Sequence, residues 1–239
     1  MSDALKSIVF AAVLCLACSI LLTAASSGLK PFQQRNIALD KQRNILKSVG
    51  LADEDLGYAA DGIRSLYTEN IRPLWVDATG RIVSGDKRSD TDLPIFLYAR
   101  DSDILAYIIP INSRGLWGRI RGYLALGRDG ETVSGFTVYS HQETPGLGGE
   151  IEKRWFQKNF VGKKIVNRQG RFVSIGIAKG RVRDSVSDKE ASNYVDGISG
   201  ATLTGRYLSA GIKEVLTSYE SVSLRLRDNS RVKLRPSGS

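Results

Sequence analysis

The stretch Asp196-Gly-Ile-Ser-Gly-Ala-Thr-Leu-Thr204 runs directly into Tyr207, Leu208, Ile212, Val215 and Leu216, whose spacing predicts a helix over about residues 205–218. Small residues carrying hydroxyls therefore sit at a helix N-terminus. Unpaired backbone N–H groups and the positive end of the helix dipole favour an anion there, and Gly197 and Gly200 let the chain turn tightly and approach a ligand without a Cβ in the way. Two readings are open on these residues alone. One is a phosphate site; the other is a plain capped helix in which Ser199, Thr202 or Thr204 accepts a backbone hydrogen bond.

Read as a pattern, Asp196-x-x-Ser199-Gly200-Ala201-Thr202 resembles the flavinylation motif Asp-x-x-Ser/Thr-Gly-Ala-Ser/Thr with no departure at any position. A second run, His141-Gln-Glu-Thr-Pro-Gly-Leu-Gly-Gly-Glu150, followed by Trp155, Phe156, Phe160, Gly162 and Lys163, resembles the other signature of the same family. Gly115-Leu-Trp-Gly118 and Asn36-Ile-Ala-Leu-Asp-Lys-Gln-Arg-Asn-Ile-Leu46 extend the likeness over nearly the whole chain. The chain thus resembles the covalent-FMN domain family, which includes the C subunit of the sodium-translocating NADH:quinone reductase and the G subunit of the Rnf ferredoxin:NAD oxidoreductase. The early segment favours the quinone-reductase member.

That resemblance implies a membrane-anchored flavoprotein subunit. In the family the last hydroxyl of the motif, here Thr202, is esterified by the phosphate of FMN, and a separate flavin transferase installs the bond. The protein would relay electrons within the complex, which couples NADH oxidation and quinone reduction to sodium export. The implied partners are the other membrane, flavin and iron–sulfur subunits. The implied location is the bacterial inner membrane, with the flavin domain on the periplasmic face. The Rnf-type subunit, with the same covalent FMN, is the alternative within this class. A non-redox anchored binding module, which would be colourless, is the alternative outside it.

The cofactor-binding residues implied are Thr202 with Ser199, Gly200, Ala201, Leu203 and Thr204 around it, Thr144, Gly146, Leu147 and Gly148 from the glycine loop, and Trp117. The loop glycines would bring backbone N–H groups to the ring, Leu147 would pack on its face and Thr144 would supply a hydroxyl. Without the resemblance, Thr144–Gly148 reads as an ordinary turn after a strand. Trp117 is open between stacking on the flavin and filling the core, and Trp155 reads as core. Lys153, Arg154 and Lys163 either stabilise an anionic reduced flavin or form a solvated basic face. No catalytic residue and no metal site is assigned. His141 and Glu143 read as structural, since an electron carrier need not move a substrate proton.

From Ser7 to Ala25 the chain carries no charge, and about 19 such residues in helix can cross the hydrocarbon core of a bilayer. A cleaved signal with Lys6 in its basic region and Ala24-Ala-Ser26 at its cleavage site is the rival, but the run exceeds a usual signal core. The span holds no ionisable group to build an ion pathway, so sodium movement is expected from other subunits. Charge argues against the implied orientation: Lys30, Arg35, Lys41, Arg43 and Lys47 follow the span and only Lys6 precedes it. Long domains translocate largely regardless of charge, so the periplasmic expectation stands, and the basic flank then meets lipid headgroups.

Both cysteines, Cys15 and Cys18, fall in the apolar run, which leaves about 210 residues after it without a thiol or disulfide. In an apolar helix they read as small, membrane-compatible residues rather than a redox or metal pair, and the residues before Cys18 make a poor lipobox. The single His141 excludes multi-histidine metal sites. A net charge of +9 and a pI near 9.6 invite a nucleic-acid reading. The basic residues are spread along the chain, however, and no nucleic acid partner is expected. The one basic stretch, Arg225 to Arg235, reads as a solvated, poorly ordered end.

Organisation follows from periodicity. The segmentation expected is a tail and transmembrane anchor over 1–29, a helical connector over 30–70 with a second short helix from Leu56 to Leu66, a covalent-FMN-binding domain over 71–220 and a basic tail over 221–239. Leu74–Val76 and Arg81–Val83 flank Asp77-Ala-Thr-Gly80, which is hairpin chemistry. Runs at Ile95–Tyr98, Leu105–Ile109, Gly122–Leu126 and Val133–Tyr139 continue an antiparallel sheet. A helix over Glu150–Phe160, a strand over Phe172–Ile177 and the helix after the motif complete an α+β domain with flanking helices. Neither a Walker A nor a GxGxxG fingerprint occurs. A protein without a dinucleotide site of its own takes electrons from a neighbour and hands them on.

Overall fold

The computed structural model describes residues 2–52, 57, 59–83, 88–101 and 103–228. Helix α1 (Asp3–Ser48) opens the chain. It is capped by Ser2, whose Oγ accepts from the Leu5 N–H, and it is long and apolar enough over its first part to cross a membrane. Ser19 returns its hydroxyl to the Cys15 carbonyl at 2.7 Å, so that polar group is satisfied within the helix. Pro31 lies inside α1 and removes one i→i−4 bond without ending it. The chain separates into two compact units, Met1–Asp40 and Lys41–Ser239.

In the second unit the last turns of α1 bury Asn44, Ile45, Leu46 and Ser48. Helix α2 (Ala60–Asn70) follows, and it hands over directly to β1 (Ile71–Val76). The sequence places this helix too early: it begins at Ala60, extends to Asn70, and Leu56 lies outside the described residues. No side chain caps its start, so the local signal for that boundary is weak.

Strands β1, β2 (Ile82–Val83), β3 (Leu93–Arg100), β4 (Asp103–Arg114), β5 (Arg119–Gly127) and β6 (Val133–Ser140) form the expected antiparallel sheet in the order β2-β1-β3-β4-β5-β6. Asp77 sets the first hairpin: its Oδ1 accepts from the N–H groups of Thr79 and Arg81 at 2.8 and 2.9 Å. Alternation gives the sheet two covered faces. On one, Leu124 pairs with Phe136 in the core. On the other, a side chain at Gly135 would strike the Ser48 backbone, and Thr137 donates to the Asn44 carbonyl at 3.3 Å. The missing Cβ at Gly135 is what lets the end of α1 seat there.

The helix read over Glu150–Phe160 is two shorter pieces, a 3₁₀ turn at Gly148–Glu152 and helix α3 (Arg154–Lys158), separated by Lys153 in extended conformation. The strand read over Phe172–Ile177 contracts to β7 (Gly176–Ile177). Ser174 has φ +75°, which breaks the extended run, and Phe172 makes only an isolated bridge to Val166. After helix α4 (Val182–Ser185), strand β8 (Tyr194–Val195) pairs in parallel with β7.

Helix α5 (Thr202–Ser218) lays Leu208, Ile212 and Leu216 against the sheet, and Phe160 stacks on Phe136 with ring centroids 4.1 Å apart. Helix α6 (Glu220–Asp228) takes in the first four residues of the basic stretch, Arg225 to Asp228. Within it Val222 and Ser223 are buried, Ser223 Oγ donates to the Gly130 carbonyl, and Arg227 pairs with Glu220 at 2.6 Å. Residues 229–239 of the basic tail lie outside the described residues.

Candidate functional site

Antiparallel pairing brings three connections to one end of the sheet. Arg114 pairs with Arg119 across the β4–β5 loop, and Arg121 pairs with Ser140 where β6 ends. The Gly115–Gly118 loop and the His141–Leu147 loop are therefore neighbours, and α5 begins beside them. Together they form a hollow of about 210 Å³ lined by Leu116, Trp117, Glu143, Thr144, Leu147, Gly148 and Gly200 to Thr204.

Helix α5 starts on a tight turn. Ala201 N–H donates to the Ile198 carbonyl, with Gly200 at φ +75° in the position that demands a left-handed residue. A Cβ on Gly200 would also lie 2.8 Å from Leu147 Cδ2. Ala201 is the N-cap, and no side chain caps the helix. The plain capped-helix reading therefore fails. The first i→i−4 bond is made by Gly205 to the Ala201 carbonyl, which leaves the N–H groups of Thr202, Leu203 and Thr204 ahead of it.

The two threonines occupy different environments. Thr202 is exposed, and its hydroxyl has no partner among the described residues. Thr204 is 2% exposed and donates to Glu143 Oε2. Glu143, itself 4% exposed, also accepts at Oε1 from the Leu116 and Trp117 N–H groups at 2.8 and 3.2 Å. One buried carboxylate thus joins the β4–β5 loop, the glycine loop and α5. A side chain at Gly148 would strike both Glu143 and Thr204, which is why the loop passes there as glycine.

A second layer holds Glu143. Its own N–H donates to His141 Nδ1 at 3.1 Å, and His141 Nε2 meets Glu152 Oε2 at 3.1 Å. The Nδ1 acceptor role leaves Nε2 as the protonated nitrogen in the neutral ring. The Lys153 ammonium hydrogen-bonded to Glu152 holds that carboxyl below its ordinary range; burial opposes this, and the bond to His141 reinforces it. Asp196, first residue of the motif, lies outside the hollow: its Oδ1 accepts from the Val182 N–H at 2.7 Å and starts α4.

Of the residues singled out from sequence, Thr202, Gly200, Ala201, Leu203, Thr204, Thr144, Leu147, Gly148 and Trp117 line one hollow, while Ser199 and Gly146 flank it. Gly146 supplies a turn at φ +73° with open space beside it. Sequence reasoning missed Leu116 and Glu143 as lining residues. Glu143 was legible only as a carboxylate in a glycine-rich loop, because its partners lie 26 to 61 residues away.

Trp117 is 67% exposed at the rim of the hollow, so it does not fill the core. Trp155 is not core either: it is 49% exposed and donates its indole N–H to Glu150, while Phe156 and Phe160 take the interior. Lys153, Arg154 and Lys163 do not line the hollow; Lys163 donates to the Ala191 carbonyl at 2.9 Å. An uncapped helix start, a bare hydroxyl and the exposed apolar side chains of Leu116, Trp117, Leu147 and Leu203 suit a phosphate carrying a flat, partly apolar body.

Residues 115–217 match the model of the FMN-binding domain. The chain is 34% identical to the C subunit of the Na(+)-translocating NADH-quinone reductase of Yersinia pestis over 83% of both chains. It is 35% identical to the corresponding protein of Neisseria meningitidis serogroup B over 80% of this chain and 81% of the other. The crystal structure of the C subunit from Parabacteroides distasonis superimposes with a TM-score of 0.69 at 30% identity, covering 82% of this chain and 96% of that one. The chain therefore belongs to the C-subunit family of the Na(+)-translocating NADH-quinone reductase, and its fold is that of an FMN-binding domain.

Proposed function

We propose that this chain carries FMN in phosphoester linkage to Thr202 and passes electrons between other subunits of a sodium-exporting NADH:quinone reductase. The observation that carries this reading is the contrast between the two hydroxyls: Thr202 is exposed at an uncapped helix start, whereas Thr204 is buried on Glu143. FMN, when bound, supplies one- and two-electron redox chemistry that no side chain here supplies.

The chain's own residues then have defined work. The N–H groups of Thr202, Leu203 and Thr204 and the dipole of α5 face the phosphoryl group. Leu147, Leu203, Leu116 and Trp117 offer apolar contact to the ring. Glu143 keeps these segments in register. Ser199 and Gly146, outside the hollow, act through the turns that shape it. Among the described residues, the only carboxylate lining the hollow is Glu143, which already accepts three hydrogen bonds. Among the described residues the hollow offers no further carboxylate and no histidine as a base toward Thr202, and attachment by a separate flavin transferase fits that lining.

On this reading residues 1–29 anchor the chain as a single pass in the bacterial inner membrane, 30–70 connect the anchor to the flavin domain, 71–220 carry the flavin in the periplasm, and 221–239 form the basic end. The absence of a dinucleotide fingerprint supports electron supply by a flavin or iron–sulfur partner rather than by NADH directly.

The deciding measurement is ultraviolet fluorescence of the denatured protein band, followed by mass spectrometry of the flavin peptide. The expected result is FMN mass on Thr202. A colourless band from a host containing the transferase, or mass on Thr204, would overturn the assignment. Protease added to spheroplasts is expected to digest the domain, and full protection until lysis would put it in the cytoplasm instead.

A further inference from the structure

On the face of the sheet that carries Gly135 and Thr137, the cover ends partway along the strands. Ala106, Ile108 and Ala125 are buried there, whereas further along β4 and β5 Pro110 is half-buried and Asn112, Arg114, Arg119 and Arg121 are exposed. Pairing sets Arg114 against Arg119 and Asn112 against Arg121, so the three arginines share one face at one end of the sheet. Side chains at paired positions stand about 5 Å apart, which gathers these charges into one flat array.

Arg114, Arg119 and Arg121 make no ion pair among the described residues. Arg114 instead lies 5.7 Å from the centre of the Tyr207 ring, and Arg119 donates to Asn112 Oδ1 at 3.5 Å. Asp77 and Asp92, in the turns at the same end of β1 and β3, accept from backbone N–H groups of those turns. Like charges held side by side repel one another and draw an anion to the surface they share.

Aromatic rings continue the face. Tyr139 stacks on Tyr123 at 5.4 Å, Tyr123 meets Phe96 edge to face at 5.9 Å, and Arg88 lies 3.5 Å over Trp75. Trp75, Phe96 and Tyr139 are half-buried. Rings with one wet edge beside guanidinium groups are the side-chain mixture of a membrane–water interface.

The route of the chain leads to the same end. A Cβ on Gly135 would strike the Ser48 backbone, and Thr137 donates to the Asn44 carbonyl, so toward its own N-terminus α1 follows β6 in the direction of Ser140, which pairs with Arg121. The connection from the uncharged run therefore enters the domain at the arginine end.

We infer that this face docks the domain on an anionic bilayer surface, with Arg114, Arg119 and Arg121 taking lipid phosphates in charge-assisted hydrogen bonds and the half-buried rings lying at headgroup level. It uses none of the residues that line the flavin hollow, and it rests on the reading of residues 1–29 as an anchor.

The test uses the full chain in vesicles of phosphatidylcholine, alone or with about 30% phosphatidylglycerol, that contain phosphatidylcholine spin-labelled at its headgroup. In a Cys15→Ser/Cys18→Ser background, a fluorophore is attached at Asn112→Cys on the face, or at Gln169→Cys in an exposed turn whose Gly170 carbonyl accepts from Arg227 of α6. Anionic lipid is expected to raise headgroup quenching at Asn112 at least about twofold and to leave Gln169 unchanged, and salt on the order of 0.5 M is expected to abolish the rise. Arg119→Gln/Arg121→Gln should remove the rise with an unchanged melting temperature, whereas Arg119→Lys/Arg121→Lys and the connector variant Lys30→Gln/Arg35→Gln should keep most of it. No rise with anionic lipid would overturn the proposal and leave the face to an acidic protein surface. So would an equal rise at both labels, or a rise removed only by the connector variant, since either marks general attraction of a basic chain. Flotation of the same vesicles separates this from the anchor reading. A chain that does not float with phosphatidylcholine has lost its anchor; flotation with phosphatidylglycerol that depends on Arg119 and Arg121 then still supports the face, and flotation with neither vesicle overturns it.

Discussion

The hydroxyl of Thr204 donates to the carboxylate of Glu143, 61 residues earlier in the chain, and both groups are buried. This bond decides which of two nearby threonines remains available. It ties the start of α5 to the glycine loop, and through the Leu116 and Trp117 N–H groups to the β4–β5 loop. Two residues before it, Thr202 is left exposed.

Substituting Thr202 by alanine is expected to abolish covalent flavin while leaving the thermal transition within a degree or two of wild type, because the exposed hydroxyl makes no bond in the fold. Thr204→Ala should do the reverse. It keeps the flavin but leaves Glu143 Oε2 without its buried donor, at about 1–3 kcal/mol. Flavin mass and melting temperature, measured on the same preparations, check both.

Glu143→Gln retains an acceptor for the Leu116 and Trp117 N–H groups, so it is expected to fold and to take up flavin. Glu143→Ala leaves those donors and the Thr204 hydroxyl unmatched, and a loss of about 2–4 kcal/mol is expected. Denaturant unfolding of the two variants measures the difference. Equal stability would remove Glu143 from its joining role.

Gly200 and Gly146 both have positive φ, yet they should respond differently to alanine. Gly146→Ala meets open space and is expected to cost only the backbone term, about 1–2 kcal/mol. Gly200→Ala adds a Cβ 2.8 Å from Leu147 Cδ2 and moves the turn that presents Thr202. It is expected to lower the flavinylated fraction severalfold under conditions where Gly146→Ala does not. Absorbance per mole of protein reports this.

Asp129 anchors the turn before β6, accepting from the Glu131 and Thr132 N–H groups at 3.1 and 3.0 Å and from the Thr132 hydroxyl. Burial pushes its pKa up, but the Thr132 hydroxyl and the two backbone donors outweigh this and hold it below the ordinary value. A depressed folded pKa means the contribution is complete above the unfolded value of about 3.9 and is lost as pH falls through the folded value. The stability gap between wild type and Asp129→Ala should therefore be constant near neutrality and narrow below about pH 4. Urea midpoints across pH 3–7 test it, and a gap that widens toward acid would contradict the assignment.

Isolated flavin domain is expected to take electrons from a chemical reductant but not from NADH alone. Rapid bleaching by NADH, followed by stopped-flow absorbance, would require a nicotinamide site that the sequence does not display. In the assembled complex, Thr202→Ala should stop NADH-driven quinone reduction.

What the sequence by itself determined is whatever is local or periodic. Alternating runs specified the strands from Leu93 to Ser140, the uncharged run specified a helix able to cross a membrane, and the motif ending at Thr202 identified the family before any contact was known. Boundaries without a local cap or breaker slipped: α2 begins later than its periodicity suggests, and Lys153 splits what reads as one helix. Tertiary structure alone decided the rest. Only folding brings Glu143 to Thr204 and to the Leu116 and Trp117 N–H groups, and only then does one hydroxyl become buried and the other remain in solvent. The physical reason is that hydrogen-bond partnership and burial are properties of long-range pairing. Two threonines two residues apart on one helix start look alike in sequence, and they differ only in what the sheet end sets against them.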